Sequence, residues 1–188
     1  MLGTSQRDNT VNNGDLVGRD KTEINNIYFK RPSTISVLNN NYKLEAASAP
    51  CNTEFLDSLQ HYMQQAADPD VRGLAAKLND ADREDLIQYA EGLKERVSKK
   101  ILRFQTSAAA QDILAYVMED LHTRFQLDVR PSIQEGADRA TVDRLIQERV
   151  IDPVLSSLED NVLKLYPAEL LGLIFFMGGN CHIRWDKC

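Results

Sequence analysis

The side chains with the richest chemistry stand near the end of the chain, where Cys181 adjoins His182 and Cys188 follows seven positions after Cys181. Thiolate and imidazole are the ligands of structural zinc, but a closed site takes four of them at defined spacing. The remaining donors, His61, His122 and Cys51, lie in segments unrelated in sequence to this ending. No metal site is expected. A Cys/His nucleophile pair fails on geometry, because neighbours along an extended chain point to opposite faces and His182 cannot take a proton from Cys181. Carboxylates such as Glu91 and Glu95 flank Lys94, the pattern of a solvated helix face. Asn13-Gly14-Asp15-Leu16-Val17-Gly18 lacks the glycine spacing of a dinucleotide loop, and no Gly-Lys-Ser/Thr follows it. With no Ser-His-Asp or His-Glu helix motif either, the chain is expected to be no enzyme and to carry no cofactor. Cys181 then reads as a small buried hydrophobe and His182 as a hydrogen-bonded structural residue.

The same ending offers a binding chemistry instead. Ile183, Arg184 and Trp185 continue from His182, and Trp185 is the single tryptophan of the chain. An aromatic beside an arginine has the composition of an interface anchor. The other reading is that Trp185 folds back onto its own helices and closes the domain, with Arg184 paired to an acidic helix.

The elements that position these residues follow from length and pattern. At 188 residues the chain can bury one substantial core, to which the first 50 or so contribute few large apolar side chains. A net charge of -6 and a pI near 5.1 provide no basic field for phosphate backbones, so nucleic acid is not an expected ligand. The longest apolar run, Leu170–Met177, is far short of the ~20 residues of a membrane span. A soluble, cytoplasmic protein is expected. Three cysteines, an odd number, argue against a disulfide framework.

Residues 1–50 read as a β-prone arm and linker. Val11, Leu16, Val17, Ile24, Ile27, Ile35 and Val37 are strand formers separated by Asn, Asp and Gly. An apolar residue followed by two Asn recurs at Val11-Asn12-Asn13, Ile24-Asn25-Asn26 and Leu38-Asn39-Asn40, at offsets of 13 (24 minus 11) and 14 (38 minus 24). Near-constant offsets suit stacked β-rungs with Asn ladders, and Gly14 and Gly18 would serve as corners. The segment reads either as such a β-arch or solenoid that stacks on copies of itself, or as an ordinary hairpin or polar tail.

Residues 51–188 read as one all-α domain. Asn52 or Thr53 caps a helix with Phe55, Leu59, Tyr62, Met63 and Ala66 on one face, and Asp68-Pro69 marks a break. From Asp82, Leu86, Ala90, Leu93, Val97, Ile101 and Phe104 recur at steps of three and four. From Ser107 the same spacing gives Leu114, Val117, Met118, Leu121 and Phe125. The short link Thr106-Ser107 predicts that these two helices pair antiparallel. Pro131 should interrupt the chain, Gly136 ends a helix, and Asp138 or Thr141 opens one carrying Val142, Leu145, Ile146, Val150 and Val154, broken by Pro153 near Asp152. Tyr166-Pro167 opens a final helix, apolar on all sides, that ends at Gly178-Gly179.

Two stretches resemble known families. GDLVGRDK, from Gly14 through Asp15 and Val17 to Gly18 and beyond, resembles the Gly-Asp-x-Val-x-Gly-Asp-Lys motif of bacterial conflict-system proteins, with Gly18-Arg19-Asp20 departing from the second Gly-Asp. It is broadly similar to the amyloid signalling motifs of immune receptors. KKILRFQTSAAAQDI, TRFQLDVRPSIQEGADRATVDRLIQERVIDPVL and GNCHIRW resemble the C-terminal domain of proteins from bacterial ABC-three-component systems, over most of residues 95 to 185. That resemblance implies a role in anti-phage defence, where such a domain couples an effector to an SMC-like ATPase and a middle component. No nuclease, protease or TIR-like domain is expected ahead of the helices, with the arm standing in that place. The reading is a non-enzymatic adaptor, homo-oligomeric and bound to those protein partners. Its rival is a structural multimerisation or regulatory subunit whose arm packs on its own domain.

Overall fold

The computed structural model describes residues 31–47, 56–66 and 72–186, all in helices, turns and loops, with no strand among them. The chain divides into Met1–Arg31 and Pro32–Cys188, and the helices below belong to the second unit. They are α1 (Thr34–Ala46), α2 (Asp57–Met63), α3 (Leu74–Asp80), α4 (Ile87–Arg103), α5 (Ala108–Arg124), α6 (Arg130–Glu135), α7 (Arg139–Leu145), α8 (Asp152–Ser157) and α9 (Pro167–Gly179).

Helix α9 lies at the centre, as its apolar surface requires: Leu170, Leu173, Ile174, Phe175, Phe176 and Met177 are all buried. Its largest interface is with α4, whose buried stripe is Ala90, Leu93, Val97 and Ile101. Gly172 makes that approach possible, since a Cβ there would stand 2.7 Å from Val97 Cγ1 and 2.9 Å from the carbonyl oxygen of Leu93. The one buried carboxylate of α9, Glu169, accepts from the Tyr166 amide and pairs with Arg96 of α4.

Ser107 caps α5, its hydroxyl accepting from the Ala110 amide at 3.1 Å, as the sequence predicts. The predicted pairing of α4 with α5 is at most slight. Both pack on α9 instead, because a helix apolar on all sides needs neighbours on all sides.

The two prolines expected to break helices are carried through. Between α5 and α6, residues Phe125–Val129 form a π-turn ahead of Pro131, and between α7 and α8 Ile146–Ile151 do so ahead of Pro153. The residues before each proline, Arg130 and Asp152, keep right-handed helical dihedrals. A proline ring collides with the carbonyl four residues back, and the wider i→i+5 turn moves that carbonyl aside. Gly136 ends α6 with φ 83°, and Asp138 caps α7 through the Thr141 amide, both as predicted.

The third Asn repeat, Leu38-Asn39-Asn40, is helical rather than a β-rung, and this corrects the proposed rung. It lies inside α1, whose Ile35 is buried and whose Leu38 and Tyr42 pack against the core. Asparagine propensity disfavours a helix here, and tertiary contacts override it. Asn39 is 2% exposed and donates to the carbonyl of Leu158 at 3.1 Å; Lys43 pairs with Asp160. The Glu45 carboxylate accepts from the Ala108 and Ala109 amides at the start of α5. The other repeats, with Gly14, Asp15, Val17 and Gly18, lie outside the described residues.

Gly172→Ala should lower stability by roughly 1–3 kcal/mol, because the α4 backbone cannot yield. Gly92→Ala, on the open side of α4 with nothing within 4 Å, should raise it by about 0.5–1 kcal/mol. Urea unfolding of the two variants checks both.

Candidate functional site

Beyond α9 the chain turns back along the domain. Cys181 takes a left-handed conformation with φ 64°, which reverses direction, and the His182 amide returns to the Met177 carbonyl at 2.9 Å. The returning segment is stitched to the end of α2. Asn180 donates through Nδ2 to the Tyr62 carbonyl at 2.9 Å, and its own carbonyl accepts from the Ala66 amide at 2.9 Å. His182 Nε2 donates to the Gln64 carbonyl at 3.0 Å.

Trp185 finishes this closure. It is 3% exposed, stacks on Phe175 of α9 with ring centroids 5.3 Å apart, and meets the edge of Phe125 at 5.5 Å. A Cβ on Gly178 would stand 2.8 Å from its Nε1, so the indole sits directly against the helix end. Lys77 of α3, itself buried, donates to the Gly178 carbonyl at 3.0 Å, placing a cation at the negative end of α9. Of the sequence-selected residues, Cys181, His182, Ile183 and Trp185 are buried and Arg184 is half-buried. Trp185 therefore packs as a domain-closing side chain of its own helices.

The structure also joins what sequence spacing kept apart. The ring of His182 lies 5.0 Å from that of His61 and 6.3 Å from that of His122, with the Tyr62 ring 5.2 Å away. All three histidines of the chain thus meet where α2, α5 and the closing segment converge. Gln126 links the group, with Nε2 3.2 Å from His122 Nε2 and donating to the His182 carbonyl at 3.3 Å. Burial holds both His122 and His182 below the ordinary histidine range, and nearby His61 pushes the same way, while backbone hydrogen bonds partly oppose it. Burial, with the charge of Glu119, raises Tyr62. Among the described residues no group of three or more His, Cys, Asp or Glu side chains is arranged to hold a metal. The cluster packs ring against ring with a hydrogen-bonded edge. Its members, like Lys77, left no local mark in the sequence, because only the chain reversal at Cys181 brings them together.

The family model for C-terminal domain 9 of the ABC-three component (ABC-3C) systems matches residues 73–185. The match covers more than half of the chain, and the chain belongs to that family. It starts at the N-cap of α3 and stops at Trp185, so the closing segment is part of the family domain while α1 and α2 precede it. Membership makes the chain a component of a multi-component system, which implies protein partners. No curated protein and no solved structure matches the chain. Among the described residues no helix is long and apolar enough to cross a membrane.

Trp185→Ala should cost about 3–5 kcal/mol, visible as a lower midpoint in urea. A second expectation concerns pH. Because the fold favours neutral His122 and His182, the unfolded chain takes up protons first, so their contribution is complete above about pH 6.5 and is lost as pH falls below it. The urea midpoint should drop between about pH 7 and 5, and His182→Gln should flatten that drop.

Proposed function

We propose that the chain is a non-enzymatic adaptor in a cytoplasmic anti-phage defence system, coupling an effector to the SMC-like ATPase and middle component of the same ABC-three component system. The observation that carries this reading is the family match over residues 73–185. The closed C-terminus supports it, since its nucleophile and imidazoles are occupied in packing and hydrogen bonds. The β-prone segment with Val11-Asn12-Asn13 and Ile24-Asn25-Asn26 would act as the assembling element, two rungs rather than three now that Leu38-Asn39-Asn40 belongs to α1. Bringing copies together through the helical domain raises the arms' local concentration to the mM range, enough to favour cross-β stacking.

The test is co-expression of the full chain with the components encoded beside it, followed by affinity capture and mass measurement in solution. Stable capture of the ATPase or middle component, together with a multimer, is expected. A monomer that captures neither would overturn the reading. Val11→Asp with Ile24→Asp should abolish the arm-dependent increase in mass while leaving capture intact, because charges on stacked rungs repel.

A further inference from the structure

The net charge of -6 conceals a local excess of the opposite sign, on the side of α4 that faces the start of α9. Arg96, Lys100 and Arg103 follow at steps of four and three, so they share one face of α4 over about 10 Å of its axis. Arg96 reaches Glu169 of α9 at 2.5 Å. Lys100 donates to the Lys164 carbonyl at 2.6 Å, which brings the turn ahead of α9 against the same face. Burial holds Lys100 below the ordinary lysine range, and Arg96, Arg103 and Lys164 push it the same way against the pull of Glu169.

Four cations thus share one neighbourhood with a single carboxylate, an excess of three. Among the described residues no carboxylate pairs with Lys100, Arg103 or Lys164. The acids nearest to them in sequence are engaged elsewhere: Glu95 with Lys99, Glu159 with Ser33, and Asp160 with Lys43. Cations crowded without counter-charge repel one another, and Lys164 adds a backbone cost, since it is held in the left-handed region with φ 53°. Arg103 and Lys164 are exposed, and so is the ring of Tyr166, two residues beyond Lys164. Exposed arginine and tyrosine beside uncompensated charge have the composition of an interface anchor.

We propose that this patch docks an acidic segment of a protein partner. The choice of a protein source rests on the adaptor reading above; the sign of the occupant rests on the patch alone. Cations at steps of four and three along α4 match carboxylates at the same spacing on a partner helix, and that contact offsets the repulsion among them. A nucleic-acid backbone fits less well, because about three phosphate contacts supply little affinity and the net negative charge of the chain repels a long polyanion.

The experiment measures binding of dye-labelled hexaglutamate to the full chain by fluorescence anisotropy at low salt, beside hexaglutamine and a heptathymidylate equal in charge to the hexaglutamate. Saturable binding of hexaglutamate with Kd on the order of 100 μM is expected, at least about tenfold weaker for hexaglutamine. Arg103→Gln with Lys164→Asn should weaken it about tenfold, asparagine being a residue that accepts the left-handed backbone. Arg144→Gln with Arg149→Gln removes the same charge from exposed positions outside the patch and should change it less than about twofold. Should the first double variant lose its cooperative urea transition, Arg103→Gln alone decides, with about threefold weakening expected. No saturable binding, equal response to hexaglutamine, equal weakening by the two double variants, or unchanged affinity in Arg103→Gln would overturn the patch. Heptathymidylate binding at least about tenfold tighter than hexaglutamate would overturn the protein source. A multimer that becomes a monomer in the Arg103/Lys164 variant would overturn the separate partner and give the patch to a second copy of this chain. Partner capture that persists while the hexaglutamate test fails would leave the adaptor reading standing and remove only this patch from it.

Discussion

The domain depends on complete burial of a single helix. With apolar side chains on all its faces, α9 cannot lie on a surface, so α4, α5, α3 and α8 must all reach it. Gly172 sets how closely α4 approaches, and Gly178 sets how closely Trp185 does. A methyl group at either point would meet an immovable neighbour: a backbone carbonyl in the first case, an indole wedged between two phenylalanines in the second. Close packing of this kind leaves little room for compensation.

Burying α9 creates two problems at its ends, and the fold answers both with side chains from distant segments. At the start Arg96 neutralises the buried Glu169. At the end Lys77 and the returning Asn180–Trp185 segment cover carbonyls that a helix leaves unpaired. The return adds a second tie to α2, which also packs on α5, and it makes the histidine cluster a structural by-product with a pH consequence. It also forms one wall of a cleft beside Trp185.

The helices α1 and α2 lie outside the span shared with the family, and both pack on α5. Helix α1 also braces the α8–α9 turn, through Asn39 to Leu158 and Lys43 to Asp160. That turn needs such support, since Glu159, Asn161 and Lys164 all take left-handed conformations. These two helices link Met1–Arg31 in sequence to the family domain.

Sequence by itself determined the features encoded within a few residues. The stripes of α4 and α5, the caps at Ser107 and Asp138, the stop at Gly136 and the all-round apolar character of α9 each rest on periodicity or on one local hydrogen bond. The segments from KKILRFQTSAAAQDI to GNCHIRW were enough to indicate the family. Tertiary structure decided whatever depended on partners far along the chain. Leu38-Asn39-Asn40 became helical because α5 and the Leu158 carbonyl were there to receive it. Pro131 and Pro153 remained within helices because π-turns, held by surrounding packing, made space for their rings. Trp185 went inward because Gly178 left room for its ring. His61, His122 and His182 met, and Asp186 was left with one unpaired oxygen, only after the chain reversed at Cys181. A local pattern carries no information about which distant surface will complete it, and in this protein the candidate sites are built from such completions.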